Sequence, residues 1–147
     1  MPPIVNSIEI SSPPEEVFAY VTDPARLPEW QQSVVSARAE GPAGVGSKVV
    51  VTRKVGRMER SMTAQVAELS PPSRWRIQGL DGPIRGDVDG SIEPVREGEA
   101  SRVTIALDLR GYGIGKLLLP LFVRRQAESE MPTNMKNLKE RLESKPP

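Results

Sequence analysis

Three side chains in this sequence carry groups that polarise a carbonyl or move a proton, and each interrupts an apolar pattern: Arg53, Tyr112 and Glu128. Arg53 shares its strand phase with Val49, Val51 and Val55, so an inward-facing strand would carry a guanidinium into the interior. A buried guanidinium is costly unless an anionic partner or ligand meets it. The other reading is a frayed edge where the charge snorkels to water. Glu128 lies four residues after Arg124, with Leu117, Leu121 and Phe122 on one side and Met131 and Met135 on the other. Facing inward, the pair would place charge at a cavity wall and orient a carbonyl or carboxylate. Alternatively the helix kinks at Pro132, whose missing N–H frees the Glu128 carbonyl, and both side chains point to solvent. Tyr112 sits where a strand hands over to a helix, with packing and proton donation both open to it.

Composition removes most other chemistry. The 147 residues contain neither cysteine nor histidine, which excludes disulfides, thiol nucleophiles, imidazole bases and the usual nitrogen and sulfur zinc sites. Acid and base work is left to Asp, Glu, Lys, Tyr and water. The balance of 20 basic against 19 acidic residues gives a net charge of +1 and no global electrostatic argument for nucleic acid or an anionic membrane. The 37% hydrophobic content is that of a soluble globular domain, and 147 residues make one domain of ordinary size. The apolar run from Leu117 to Val123 is far short of the roughly 20 residues that span a bilayer, and residues 1–10 do not read as a signal peptide. A cytoplasmic protein is expected.

The elements that must hold these residues follow from periodicity. Leu117, Leu121, Arg124, Glu128, Met131, Met135, Leu138 and Leu142 recur at steps of four and three, predicting a long helix within Gly111–Ser144 with one buried stripe. Upstream, Ile4, Ile8 and Ile10 share one strand phase. Ser12-Pro-Pro-Glu-Glu16 and Asp23-Pro24 then read as caps and first turns of two short helices. Six further strands are expected at Val34–Glu40, Lys48–Val55, Arg60–Leu69, Arg74–Leu80, Ile84–Glu93 and Ser101–Arg110, joined by short Gly- and Pro-rich turns. Short connections imply antiparallel hairpins, and a lone long helix must bury its stripe against the resulting sheet. In the Ile84–Glu93 strand the apolar phase includes Gly86 and Gly90, missing side chains that leave a bend or a space. Met58, Met62, Met131 and Met135 suit either an adaptable pocket or ordinary core filling.

Three patterns are decoys. Gly41–Lys48 looks like a phosphate-binding loop, but its Ser and Lys are in the wrong order and valines follow in place of a helix. Gly111-Tyr-Gly-Ile-Gly115 lacks the third glycine of a dinucleotide fingerprint and reads as a flexible joint. Asp87 and Asp89 share the polar phase opposite Val88, so a solvated sheet face outweighs a metal site.

Ser11–Trp30 (SSPPEEVFAYVTDPARLPEW), Val66–Ile77 (VAELSPPSRWRI) and Asn137–Glu143 (NLKERLE) resemble the opening, the mid-sheet hairpin and the closing helix of the START-like superfamily, in its polyketide cyclase/dehydrase-type branch. The resemblance covers nearly the whole chain and implies an α+β helix-grip, in which a seven-stranded curved antiparallel sheet wraps the last helix. Two small helices close one end, and a cavity lies between sheet and helix. It also implies a carrier or sensor of a hydrophobic, lipid- or polyketide-like molecule, or alternatively a polyketide cyclase/dehydrase-type enzyme working in the same cavity. The family's catalytic residues do not transfer onto particular positions. The expected lining is Val51, Arg53, Met62, Trp75, Ile77, Gly86, Val88 and Leu107 from the strands, with Trp30 and Tyr112 at the ends and Leu121, Arg124 and Glu128 from the helix. Arg53, Tyr112 and Glu128 are the catalytic candidates. No metal or other cofactor, no nucleic acid and no stable membrane insertion are expected, and a homodimer is compatible with the sequence.

Overall fold

The structure, a computed structural model, describes residues 2–118 and 122–144. Seven strands run β1 (Ile4–Ile10), β2 (Val34–Glu40), β3 (Lys48–Val55), β4 (Met58–Ser70), β5 (Arg74–Gly79), β6 (Ile84–Val95) and β7 (Ala100–Gly111). They form one antiparallel sheet in the order β1-β7-β6-β5-β4-β3-β2. Two short helices, α1 (Pro14–Val21) and α2 (Leu27–Trp30), follow β1, and the chain closes with α3 (Gly115–Leu118) and the 20-residue α4 (Arg124–Glu143). This is the expected α+β helix-grip. The strands alternate as their sequences do: in β7, Val103 and Ile105 are buried while Arg102 and Asp108 are exposed.

Local signals account for the helix starts with one exception. Asp23 accepts from the N–H of Ala25 at 3.0 Å and opens a single 3-10 turn that leads into α2. Ser12 does not cap α1. Its hydroxyl donates instead to the Glu16 carboxylate at 2.9 Å, and Pro14 begins the helix with Glu15 and Glu16 at its positive end.

The closing segment differs from the expected single helix. Residues 111–116 pack on the β5–β6 turn, with Tyr112 N–H donating to Pro83 O at 2.7 Å and Gly115 so close to that carbonyl that an added Cβ would lie 2.0 Å from it. Leu117, assigned to the buried stripe, is therefore 70% exposed, and Leu121 lies outside the described residues. The stripe is real from Met131 onward, where Met131, Met135, Leu138 and Leu142 are all buried. Each such side chain contributes about 1.5–3 kcal/mol. Polar contacts fix the register of this half: Lys139 Nζ donates to Glu9 O at 2.9 Å, and Glu143 accepts from Ser11 N–H at 2.8 Å.

The two inward glycines of β6 leave no space. At Gly90 an added Cβ would stand 2.1 Å from Cζ2 of Trp75, whose indole fills the notch and meets Phe18 of α1 edge to face at 6.2 Å. At Gly86 the nearest atoms are Leu107 Cδ1 at 3.1 Å and Leu109 Cδ2 at 3.5 Å. Both vacancies are taken by neighbouring side chains because close packing of the interior excludes voids.

Gly90→Ala is expected to cost about 2–3 kcal/mol in chemical denaturation, since the rigid indole has nowhere to go, and Gly86→Ala less, since leucine methyls rotate. Equal costs would contradict this packing. Lys139 and the Ser11 N–H hold the Glu143 carboxyl below its ordinary value. A depressed folded-state value makes its stabilisation present above the ordinary glutamate range and lost as pH falls through the folded value. Glu143→Gln should flatten that acid limb of a stability-against-pH curve. Tyr20, buried and donating to Glu29 at 2.7 Å, is pushed up to about 12, chiefly by burial and then by that hydrogen bond. An ultraviolet titration should show a phenol ionising at about pH 12, and Tyr20→Phe should remove that step.

Candidate functional site

The register decides which side chains face α4. Starting from buried Val103, the paired inward positions run through Ile92, Gly90, Val88 and Gly86 of β6, then Trp75 and Ile77 of β5, Val66 and Met62 of β4, and Val51 and Arg53 of β3. Burial along this face is graded. Near α1 the inward residues Ile10, Trp75, Ile92 and Val103 are at most 3% exposed. Toward the β3–β4 and β5–β6 turns, Val51, Met62, Ile77, Val88, Leu107 and Leu109 are only partly buried. The concave face is thus filled at one end and incompletely covered at the other.

Arg53 lies on the incompletely covered part. Its Nη2 donates to Gln31 Oε1 at 2.9 Å and its Nη1 to Ser33 Oγ at 3.2 Å, both neutral acceptors. Among the described residues no carboxylate pairs with it. Burial pushes the guanidinium down from its ordinary value, and the field of Glu130 opposes the shift without an ion pair. Trp30, one residue before Gln31, is buried, and its indole Nε1 has no partner among the described residues. The α2–β2 junction that carries these groups is held from α4. Asn134 accepts from Gln32 N–H at 2.9 Å, and Asn137 donates to Trp30 O at 3.3 Å. Burying an asparagine in an apolar stripe is tolerable because it satisfies backbone groups that have no strand or helix partner.

The other predicted residues are not brought together with Arg53. Arg124 and Glu128 form an ion pair at 2.9 Å, with the Arg124 side chain 18% exposed and that of Glu128 52% exposed. The arginine turns toward the protein and the carboxylate toward solvent, which falls between the two sequence readings. Tyr112 stands with the outward residues. Its ring lies 4.2 Å from the Arg85 guanidinium, and its hydroxyl accepts from Arg110 Nη1 at 3.2 Å. Arg85 and Arg110 pair across β6 and β7 in the outward phase, so Tyr112 belongs to the convex side. Asp87 and Asp89 are engaged by Arg110 and Arg74, each at 2.9 Å. A recess of about 400 Å³ on that convex side is lined by Arg76, Gln78, Asp87, Asp89, Ala106 and Asp108. Gln31, Ser33, Glu130, Asn134 and Asn137 were missed in sequence. The only available signal was that Asn134 and Asn137 lie beside the apolar stripe of α4.

The fold agrees with the comparisons. A family model described as polyketide cyclase / dehydrase and lipid transport matches residues 1–143. A comparison with curated protein sequences found no match. Among solved structures, TTHA0849 from Thermus thermophilus is similar over 96% of this chain and 97% of its own, with a TM-score of 0.79 and 21% identity. A START superfamily protein from Mycobacterium smegmatis is similar over 97% and 98%, at 0.78 and 13%. The di-domain ARO/CYC BexL from the BE-7585A biosynthetic pathway is similar at 0.75 and 17%, with 95% of this chain covering 46% of that one. At such identities the structural likenesses speak to fold alone. The family match spans almost every residue, and the chain belongs to the polyketide cyclase / dehydrase and lipid transport family.

Proposed function

We propose that this protein binds a hydrophobic small molecule with a polar or anionic head in the space between the concave sheet face and α4, as a carrier or sensor. The observation that carries this reading is Arg53, a part-buried guanidinium in line with Val49 and Val51 that, among the described residues, hydrogen-bonds only the neutral groups of Gln31 and Ser33. Protein interiors normally pair such a charge, and a ligand carboxylate or polarised carbonyl would complete it. The partly buried Val51, Met62, Ile77, Val88 and Leu107 supply the apolar wall that the rest of the guest would cover. Family membership supports a hydrophobic ligand and leaves lipid and polyketide equally open.

Cyclisation or dehydration in the same space is the second reading, and it has less support. Tyr112 sits on the convex side and Glu128 faces solvent, so both groups expected to move a proton stand away from Arg53.

The test is a thermal-shift and native mass spectrometry panel of long-chain fatty acids, their methyl esters and aromatic polyketide carboxylates. A binder present at a hundred times its Kd should raise the Tm by about 5–10 °C. Arg53→Met should leave the unliganded stability within about 1 kcal/mol, because an incompletely paired guanidinium adds little, and should weaken carboxylate binding by roughly 30-fold or more. Esters should bind nearly alike to both proteins. A panel without any shift, or a variant that binds carboxylates as tightly as the parent, would falsify the assignment.

A further inference from the structure

The exposed apolar side chains of this protein are concentrated at one end. Among the described residues, large hydrophobics with high exposure include Val55 (42%), Met58 (57%), Ile114 (65%), Leu117 (70%) and Phe122 (65%). The register places Val55 and Met58 beside the end of β7: the β3–β4 turn, the β5–β6 turn and the end of β7 all lie at the same end of the sheet. The β3–β4 hairpin projects beyond its neighbour, since β5 ends at Gly79 opposite Ala64 while β4 begins six residues earlier, at Met58. Residues 111–116 pack on the β5–β6 turn, which puts Ile114 and Leu117 at that end as well.

Charge is segregated in the same place. Arg110 and Arg124 are paired with Asp87 and Glu128, but Lys116, Arg125 and, on the hairpin, Lys54, Arg57 and Arg60 stand against Glu59 and Asp81. The near-neutral total of the chain hides this local excess. Lys54, Arg57, Arg60, Lys116 and Arg125 are all exposed.

We propose that this end docks on the surface of an anionic lipid bilayer, with Met58 and Leu117 entering the headgroup boundary while Lys54, Arg57 and Lys116 meet lipid phosphates. Single apolar side chains on projecting turns, flanked by long basic ones, suit a fluid interface that needs no matching shape. An acidic protein would have to offer sockets for residues carried on two separate turns. No described helix is long and apolar enough to cross a membrane, so the contact is peripheral. Docking itself does not depend on any ligand occupying the concave face.

The experiment is flotation of the full chain with vesicles of phosphatidylcholine alone or with about 30% phosphatidylglycerol, at low salt and at high salt. Binding is expected to the anionic vesicles at low salt, at least about tenfold above neutral ones, and to fall with salt. Arg57→Glu with Lys116→Glu should weaken it on the order of fivefold per residue, and Met58→Asp with Leu117→Asp by about tenfold or more. Val45→Asp, exposed in the turn at the opposite end, should leave it unchanged, and circular dichroism would verify that each variant is folded. Absence of flotation with anionic vesicles, with or without capture of an acidic protein, overturns the proposal. So does flotation that is indifferent to the Met58 and Leu117 substitutions.

Discussion

The seating of Trp75 in the notch at Gly90 is the constraint on which the rest of this structure depends. A side chain on residue 90 would collide with the indole, so the absence of a Cβ there allows the largest side chain of the interior to lie flat on β6. Phe18 closes against the indole edge and brings α1 onto the sheet. Ile10, Ile92, Val103 and Leu138 pack into the same cluster with almost no exposure, and this end of the grip is solid. Because the sheet's apolar layer is used up here, the inward residues nearer the β3–β4 and β5–β6 turns are left without a full complement of neighbours.

From that asymmetry follows the division of labour in α4. Its C-terminal half is a structural anchor, with apolar residues against the core and Lys139 and Glu143 bonded to the backbone at the end of β1. Asn134 and Asn137 extend the anchoring sideways to the α2–β2 junction, the segment that presents Gln31 and Ser33 to Arg53. A change in the helix position would therefore be felt at the guanidinium through two hydrogen bonds and one turn of backbone. The N-terminal half buries no comparable stripe, and its Arg124 leans inward only as far as its pairing with Glu128 allows.

Charge on this protein is arranged by face. On the convex side Asp87 is paired with Arg110, Asp89 with Arg74 and Arg76, and Glu68 with Arg74, at distances of 2.9–4.0 Å. Such exposed pairs add little to stability, and they leave the sheet soluble on that side. On the concave side Arg53 is answered by no described acid, and the end carrying the hairpins keeps an excess of exposed basic residues beside bare hydrophobics. Both imbalances lie where the packing is least complete, which is where a partner of either kind has something to cover.

Alternation of apolar and polar residues was enough to delimit the seven strands to within two residues at each end, and short turns made them antiparallel, since period and connection length are local properties of the chain. The stripe from Met131 to Leu142 was equally legible, as was the inward phase of Arg53. What the sequence could not show depends on which distant atoms arrive at a position. The vacancies at Gly86 and Gly90 are filled by leucines and a tryptophan from neighbouring strands, and Leu117 continues the helical period of α4 yet is held outward by the packing of residues 111–116 on Pro83. Tyr112 goes to the convex side because Arg85 and Arg110 are there to receive its ring. Periodicity reports which way a residue faces within its own element, and only tertiary packing decides what already occupies the space it faces.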